Sequence, residues 1–182
     1  MIKIRPLTKN ELKQAIELKI MCWTEELAGK AENNLIYSEE YDFWVQWMNS
    51  AEENHDIRLL IGAFEDEQLL GVAFSSFAEA YDIPDNGIEL NGFWVFPQHR
   101  NKGVSLRLLK YVFDFYLEKD MKEIVIYNHH YSSSNTFYRK FGAKVIKQVY
   151  QMDGKLQIDV FLGDIAVMKR NIEKSLEAYV NL

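Results

Sequence analysis

Apolar and polar residues follow two alternating periods along the chain, and each change of period marks the edge of an element. Ile2 and Ile4 alternate with Lys3 and Arg5, the period of a short strand. Thr8-Lys9-Asn10-Glu11 then reads as a capping box, with Leu7 and Leu12 placed as its hydrophobic staple. Leu12, Ile16, Ile20, Trp23 and Leu27 form one stripe of the helix that follows. The segment 29–37 reads as a polar loop, and Ser38 is positioned to cap a second helix with Glu39 and Glu40 in its first turn. Tyr41, Trp44, Val45 and Met48 make the buried face of that helix; Phe43 and Trp47 fall on another side.

The middle of the chain switches to strands. Residues 57–64 and 69–77 are predicted strands joined by Glu65-Asp66-Glu67-Gln68, a hairpin with a four-residue turn. Residues 78–87, with Pro84 and Asp85-Asn86-Gly87, read as an open loop, and 88–95 as the next strand. A helix then runs to about Lys119 with Leu109, Val112, Phe113 and Tyr116 on its inward side. A strand over 122–128 places Ile124 and Ile126 on one face, and a short helix through Asn135 ends at Gly142, where a residue of positive φ belongs. Strands over 145–150 and 156–161 flank the turn signal Asp153-Gly154. Ile165, Met168, Ile172, Leu176 and Tyr179 outline a terminal amphipathic helix.

Composition narrows the function classes. At 182 residues and 48% hydrophobic content, with no Pro/Gly/Ser-rich linker, residues 1–182 are expected to form one domain. A net charge of −6 argues against a general nucleic-acid binder; it would suit a cationic amine substrate, though most acidic proteins are simply soluble. Cys22 is the only cysteine, so no intramolecular disulfide forms, and no Cys/His spacing suggests a metal site. No membrane-spanning apolar run and no signal-peptide core is visible, so the expected location is cytoplasmic, without membrane or nucleic-acid partners; a homodimer remains compatible with the sequence.

The candidate chemistry begins at Arg100-Asn101-Lys102-Gly103-Val104-Ser105, which follows the strand end Phe93-Trp94-Val95-Phe96-Pro97 and opens a helix. A strand stopped by proline, a basic turn with one glycine and a helix start aim free N–H groups and the positive end of a helix dipole at one point, where an anion can sit. The alternative is a solvated turn between strand and helix. No Gly-x-x-x-x-Gly-Lys-Ser/Thr and no Gly-x-Gly-x-x-Gly follows the strand, so nucleotide-binding folds built on those loops lose support.

The stretch from Val95 to Ser105 resembles the acyl-CoA signature of the GNAT N-acetyltransferase superfamily, Arg/Gln-x-x-Gly-x-Gly/Ala, with Ser105 in place of the last small residue. Ser134-Asn135-Thr136-Phe137-Tyr138-Arg139-Lys140-Phe141-Gly142-Ala143 is similar to a second region of the same family, in which an asparagine contacts the cofactor arm and a tyrosine lies near the thioester sulfur. The order of predicted elements also matches that fold. The resemblance implies a mixed α/β architecture: a mostly antiparallel seven-stranded sheet flanked by helices, with splayed fourth and fifth strands and here an extra C-terminal helix. It implies acetyl-CoA as cosubstrate, without a metal, and an amine acceptor. Arg100, Asn101, Lys102, Gly103, Val104, Ser105 and Asn135 would bind the cosubstrate, with main-chain contacts from Phe93 and Val95 at the splayed edge.

Two residues are candidates for proton transfer. Tyr138 either donates to the leaving thiolate or packs the short helix. Glu89 lies six residues before Val95, the spacing at which the histone-acetylating branch carries a catalytic glutamate, and strict alternation puts it on one face with Asn91, Phe93 and Val95. It is either the base that takes the amine proton or a solvent-facing strand residue. His129 and His130, adjacent on an extended segment, should point apart. Two rival readings are a non-catalytic acyl-CoA-binding module and a protein-interaction domain using the aromatic patch of Phe43 and Trp47.

Overall fold

The computed structural model describes residues 1–79 and 86–180; the predicted loop through Pro84 and Asp85 lies in part outside the described residues. In chain order the elements are β1 (Lys3–Pro6), α1 (Lys9–Leu27), α2 (Tyr37–Asn49), β2 (Leu59–Glu65), β3 (Gln68–Phe77), β4 (Gly87–Val95), α3 (Val104–Leu117), β5 (Glu123–His129), α4 (Ser134–Phe141), β6 (Lys144–Gln151), β7 (Leu156–Asp164) and α5 (Ile165–Val180). The seven strands form one sheet in the order β1-β2-β3-β4-β5-β7-β6, antiparallel except for the β4–β5 pair.

Local chemistry explains several boundaries. The Thr8 hydroxyl accepts from the Glu11 N–H at 3.3 Å while the Glu11 carboxylate accepts from the Thr8 N–H at 2.7 Å, so the predicted capping box starts α1. Arg5 adds two bonds to the same carboxylate and holds Glu11 well below the usual carboxylate range, at about 2. Ser38 is not a cap: α2 begins one residue earlier, with Ile36 at the N-cap position and no side-chain bond. The β2–β3 connection is tighter than predicted, since Glu65 pairs with Gln68 and only Asp66 and Glu67 turn, both with positive φ. The β6–β7 connection is also tighter, by one residue: Gln151 pairs with Leu156, so Met152 to Lys155 form a four-residue turn around Asp153-Gly154.

The two faces of the sheet carry separate cores. Leu109, Val112, Phe113 and Tyr116 of α3 join Ile165, Met168 and Ile172 of α5 against Ile61, Ala73, Ile88, Ile124 and Phe161. On the other face Leu12, Ile16 and Leu18 of α1 and Trp44 of α2 cover Leu60, Val72 and Phe74. Each such buried aliphatic contributes about 1.5–3 kcal/mol, enough to fix the helices on the sheet. Leu27, in the last turn of α1, packs instead on Leu156 and Ile158 of β7. α1 therefore crosses the line between β4 and β5.

That line is where the sheet opens. β4 and β5 pair only at Gly87, Ile88 and Glu89 against Glu123, Ile124 and Val125, and the ladder stops there. Asn91 causes a second departure from the sequence reading. Leu90 pairs with Ser75 and Gly92 with Phe74, so Asn91 is an extra residue, a bulge that reverses which side chains face which core. Ile88 and Leu90 before it, and Phe93 and Val95 after it, all belong to the α3 side. Glu89 therefore points to the opposite face from Phe93 and Val95, against the strict alternation expected.

Among the described residues no helix is long and apolar enough to cross a membrane, and no group of three His, Cys, Asp or Glu side chains is arranged to hold a metal ion.

Candidate active site

A cleft of about 660 Å³ runs through the gap between β4 and β5. Its two strand walls are Leu90 to Val95 and Ile126 to His129; Val104, Ser105, Phe137 and Tyr138 close one side, and Cys22, Trp23, Glu25 and Glu26 of α1 with Lys30 and Tyr131 close the other. The β4 wall offers backbone as well as side chains. Phe96 N–H bonds the Leu70 carbonyl toward β3 at 3.0 Å. Strand N–H groups alternate in direction, so those of Phe93 and Val95 point into the gap, where β5 no longer supplies partners.

At one mouth stands the basic turn. Asn101 and Gly103 both hold positive φ, 60° and 74°, and Gly103 is the N-cap residue of α3. The first helical bond runs from Arg107 N–H to the Gly103 carbonyl at 3.1 Å, which leaves the N–H groups of Val104, Ser105 and Leu106 without intrahelical acceptors. Lys102 is exposed beside them. Arg100 is directed elsewhere: its Nη1 and Nη2 grip the Glu25 carboxylate at 2.8 and 2.7 Å, and its Nε donates to the Val95 carbonyl at 3.2 Å. Its charge is thus matched by α1, and it braces the end of β4.

Tyr138 lies in the cleft wall, 4% exposed, between Phe137 and Phe161. Burial, and secondarily the Glu26 carboxylate, push its phenol well above the usual range, so it stays protonated at neutral pH. Asn135 does not line the cleft. It is 3% exposed, and its amide is spent on the His129 and His130 carbonyls at 3.0 and 2.8 Å and on Asn128 Nδ2 at 2.7 Å. It staples the end of β5 to α4. Glu89 also stands outside the lining, whose β4 side begins at Leu90. Burial first, then Glu79 and Asp56, raise its carboxyl to about 7. Phe43 and Trp47 take no part in the cleft: Trp47 packs on Trp44 and Arg58, and Phe43 alone remains exposed.

The sequence reading missed the α1 side of the site. Glu26 is largely buried at the end of α1, accepts a bond from Ser132 Oγ at 3.3 Å, and is raised above the usual carboxylate range by burial. The available signal was a pair of carboxylates, Glu25 and Glu26, in a last helical turn that contains no basic residue, where the helix dipole disfavours them. The two histidines do point apart. His130 Nδ1 lies 2.9 Å from Asp159 Oδ1, whereas His129 faces the cleft, 5% exposed, with its pKa lowered by burial, Lys30 and His130.

Buried polar atoms without partners concentrate here. Among the described residues six such side-chain atoms occur, and Asn91 Oδ1, His99 Nε2 and His129 Nδ1 all belong to residues lining this cleft. Buried polar groups are rarely left unpaired without a reason, and three around one cleft are the pattern of a site completed by a polar ligand. An elongated molecule with an anionic end and amide groups fits the helix start and the open strand edge.

The sequence model described as the Acetyltransferase (GNAT) family matches residues 16–143. No curated protein sequence matches the chain significantly. Among solved structures, the PaiA N-acetyltransferase of Thermoplasma acidophilum in complex with coenzyme A is 24% identical, superposes with a TM-score of 0.71, and aligns over 90% of this chain and 99% of its own. An N-acetyltransferase of Staphylococcus aureus Mu50 is 19% identical with a TM-score of 0.68, over 91% and 99% of the two chains. The yncA protein of Salmonella typhimurium, solved with its cofactor acetyl-CoA, is 15% identical with a TM-score of 0.65, over 91% and 94%.

Proposed function

Because this chain belongs to the GNAT acetyltransferase family, we propose that it moves an acetyl group from acetyl-CoA to a primary amine by direct attack through a tetrahedral intermediate. The observation that carries the reading is the parallel β4–β5 ladder that opens beyond Glu89 and Val125, with a helix N-terminus at its mouth and a buried, protonated Tyr138 in its wall. Similar folds hold coenzyme A and acetyl-CoA.

Each part of the cleft has one task. The N–H groups of Val104, Ser105 and Leu106, with Lys102, bind the pyrophosphate of the cosubstrate, and the αL turn at Gly103 lets the anion approach the backbone. The Phe93 and Val95 main chain pairs with the pantetheine amides as an added strand would, and a Val95 N–H directed at the thioester carbonyl stabilises the developing oxyanion. Tyr138 gives its proton to the departing thiolate. The acceptor enters from the α1 side, where Glu26, His129 and Tyr131 line the cleft. The carboxylates there favour a cationic amine over an anionic one.

The test is thioester consumption with saturating acetyl-CoA across alkyl monoamines, diamines, lysine and peptide N-termini. Turnover with at least one class supports transfer. Tight acetyl-CoA binding without turnover on any class would instead make the chain a non-catalytic acyl-CoA binder.

A further inference from the structure

Ser132 and Ser134 form a short polar bridge between the two sides of the cleft. Ser132 Oγ donates to Glu26 Oε1 at 3.3 Å, and Ser132 Oγ and Ser134 Oγ are 2.8 Å apart. Ser134 and Tyr138 are four residues apart on α4 and share a face, and Ser134 acts on the phenol, lowering its pKa against the larger effect of burial. All four side chains line the cleft. The bridge therefore joins α1 to α4 across the gap through which an acetyl group would pass.

We propose that Glu26 takes the proton of the attacking amine and that Ser132 and Ser134 relay it to Tyr138, restoring the phenol after it has protonated the CoA thiolate. This rests on the acetyl-transfer reading. The amine nitrogen bonds to the thioester carbon and surrenders one proton to the Glu26 carboxylate. The C–S bond breaks, and the thiolate takes the Tyr138 proton. The tyrosinate then draws a proton from Ser134, Ser134 from Ser132, and Ser132 from the Glu26 carboxylic acid. One proton leaves nitrogen, one arrives on sulfur, and the protein returns to its starting state.

The resting hydrogen-bond polarity is the end state of that relay. A carboxylate can only accept, so Ser132 donates to Glu26 and has no second proton for Ser134. Ser134 must then donate to Ser132, since the pair shares one bond, and Ser134 accepts from Asn128 Nδ2 at 2.8 Å. The direction runs from Ser134 to Glu26, as it does once a proton has passed the other way.

Glu26 is also set apart from its neighbour. Both carboxylates at the end of α1 oppose the helix dipole, but Glu25 is matched by the Arg100 fork whereas Glu26 makes no ion pair among the described residues. The charged and titratable groups facing Glu26 are Glu25 and Cys22 on its own helix, Lys30 beyond it, Arg100 before α3, and Tyr138 on α4. Burial outweighs the Ser132 hydrogen bond and the two cations and raises the carboxyl above the usual carboxylate range.

The experiment measures acetyl-CoA turnover with the amine of highest kcat/KM from the panel. Glu26→Gln and Ser132→Ala should each lower kcat about ten-fold or more while leaving acetyl-CoA affinity within about two-fold, because neither touches the pyrophosphate cradle. Glu26→Gln should also remove the acidic limb of the pH profile, and Ser132→Thr, which keeps a hydroxyl, should recover most of the loss. In a Tyr138→Phe background Ser132→Ala should add little, since the relay no longer has a destination. Wild-type kcat, solvent isotope effect and pH profile in both Glu26→Gln and Ser132→Ala, alongside a slow Tyr138→Phe, would overturn the relay and leave the acetyl-transfer reading standing. Wild-type kcat in Tyr138→Phe itself would overturn both the acid and the relay that serves it.

Discussion

Asn135→Ala should destabilise the protein more than it weakens acetyl-CoA binding. The side chain is 3% exposed and makes three short bonds: two donated to the carbonyls that end β5 and one accepted from Asn128. A buried hydrogen bond is worth about 1 kcal/mol net, and truncation removes three of them, so the loss comes to about 3 kcal/mol, although the His129 carbonyl keeps its bond from the Ser132 N–H at 2.9 Å. For a chain of this length each kcal/mol moves Tm by about 2–4 °C, which predicts a drop of about 6–12 °C by thermal circular dichroism. Acetyl-CoA affinity, measured by calorimetry below the transition, should change less than about three-fold, under 1 kcal/mol, since Asn135 lies outside the cleft lining. The family resemblance alone assigns this asparagine to the cofactor arm and expects the reverse. A Tm within about 2 °C of wild type together with lost acetyl-CoA binding would refute the staple assignment.

Three further outcomes follow from the site. Gly103→Val should cost acetyl-CoA more than about ten-fold in affinity while sparing acetyl-pantetheine, because φ of 74° disfavours a β-branched residue and the helix start serves only the pyrophosphate; equal losses for both thioesters would reject the cradle. Tyr138→Phe should keep thioester affinity and lower kcat by roughly ten- to a thousand-fold, and an unchanged rate in a chemistry-limited assay would remove Tyr138 from the reaction. Glu89 is held at about 7 in the fold against an ordinary 4.5, so the folded state binds the extra proton between these values and stability falls as pH rises through them. Glu89→Gln should therefore raise the unfolding free energy at about pH 8 by up to about 3 kcal/mol, the relieved cost of a buried charge, and so raise Tm there, and change little at about pH 4. It should also retain the acidic limb of the kinetic profile; loss of that limb in Glu89→Gln, but not in Glu26→Gln, would make Glu89 the base.

What the sequence by itself determined was local. The capping box of α1 needs only Thr8 and Glu11, three residues apart, and the structure forms both of its bonds. The stripes of α3 and α5 are set by a helical period that their own residues carry, and the turn through Gly103 is set by its neighbours and by what glycine alone tolerates. The place of Tyr138 on α4 is set in the same way, by a short helix with a glycine stop, whereas its role as acid came only from the family resemblance.

What only the tertiary structure decided depends on partners far away in sequence. The Asn91 bulge exists because β3 supplies one residue opposite two, and a single extra residue moves Glu89 to the other face of the sheet. Arg100 reads as a free cation until Glu25, 75 residues earlier, is folded against it. Glu26 and Ser132 are 106 residues apart. They meet because Leu27 finds its core on β7, which carries the end of α1 across the gap between β4 and β5. A helix period states which face is apolar; only the sheet beneath it states where along that face the helix must stop, and that placement puts a carboxylate opposite a tyrosine.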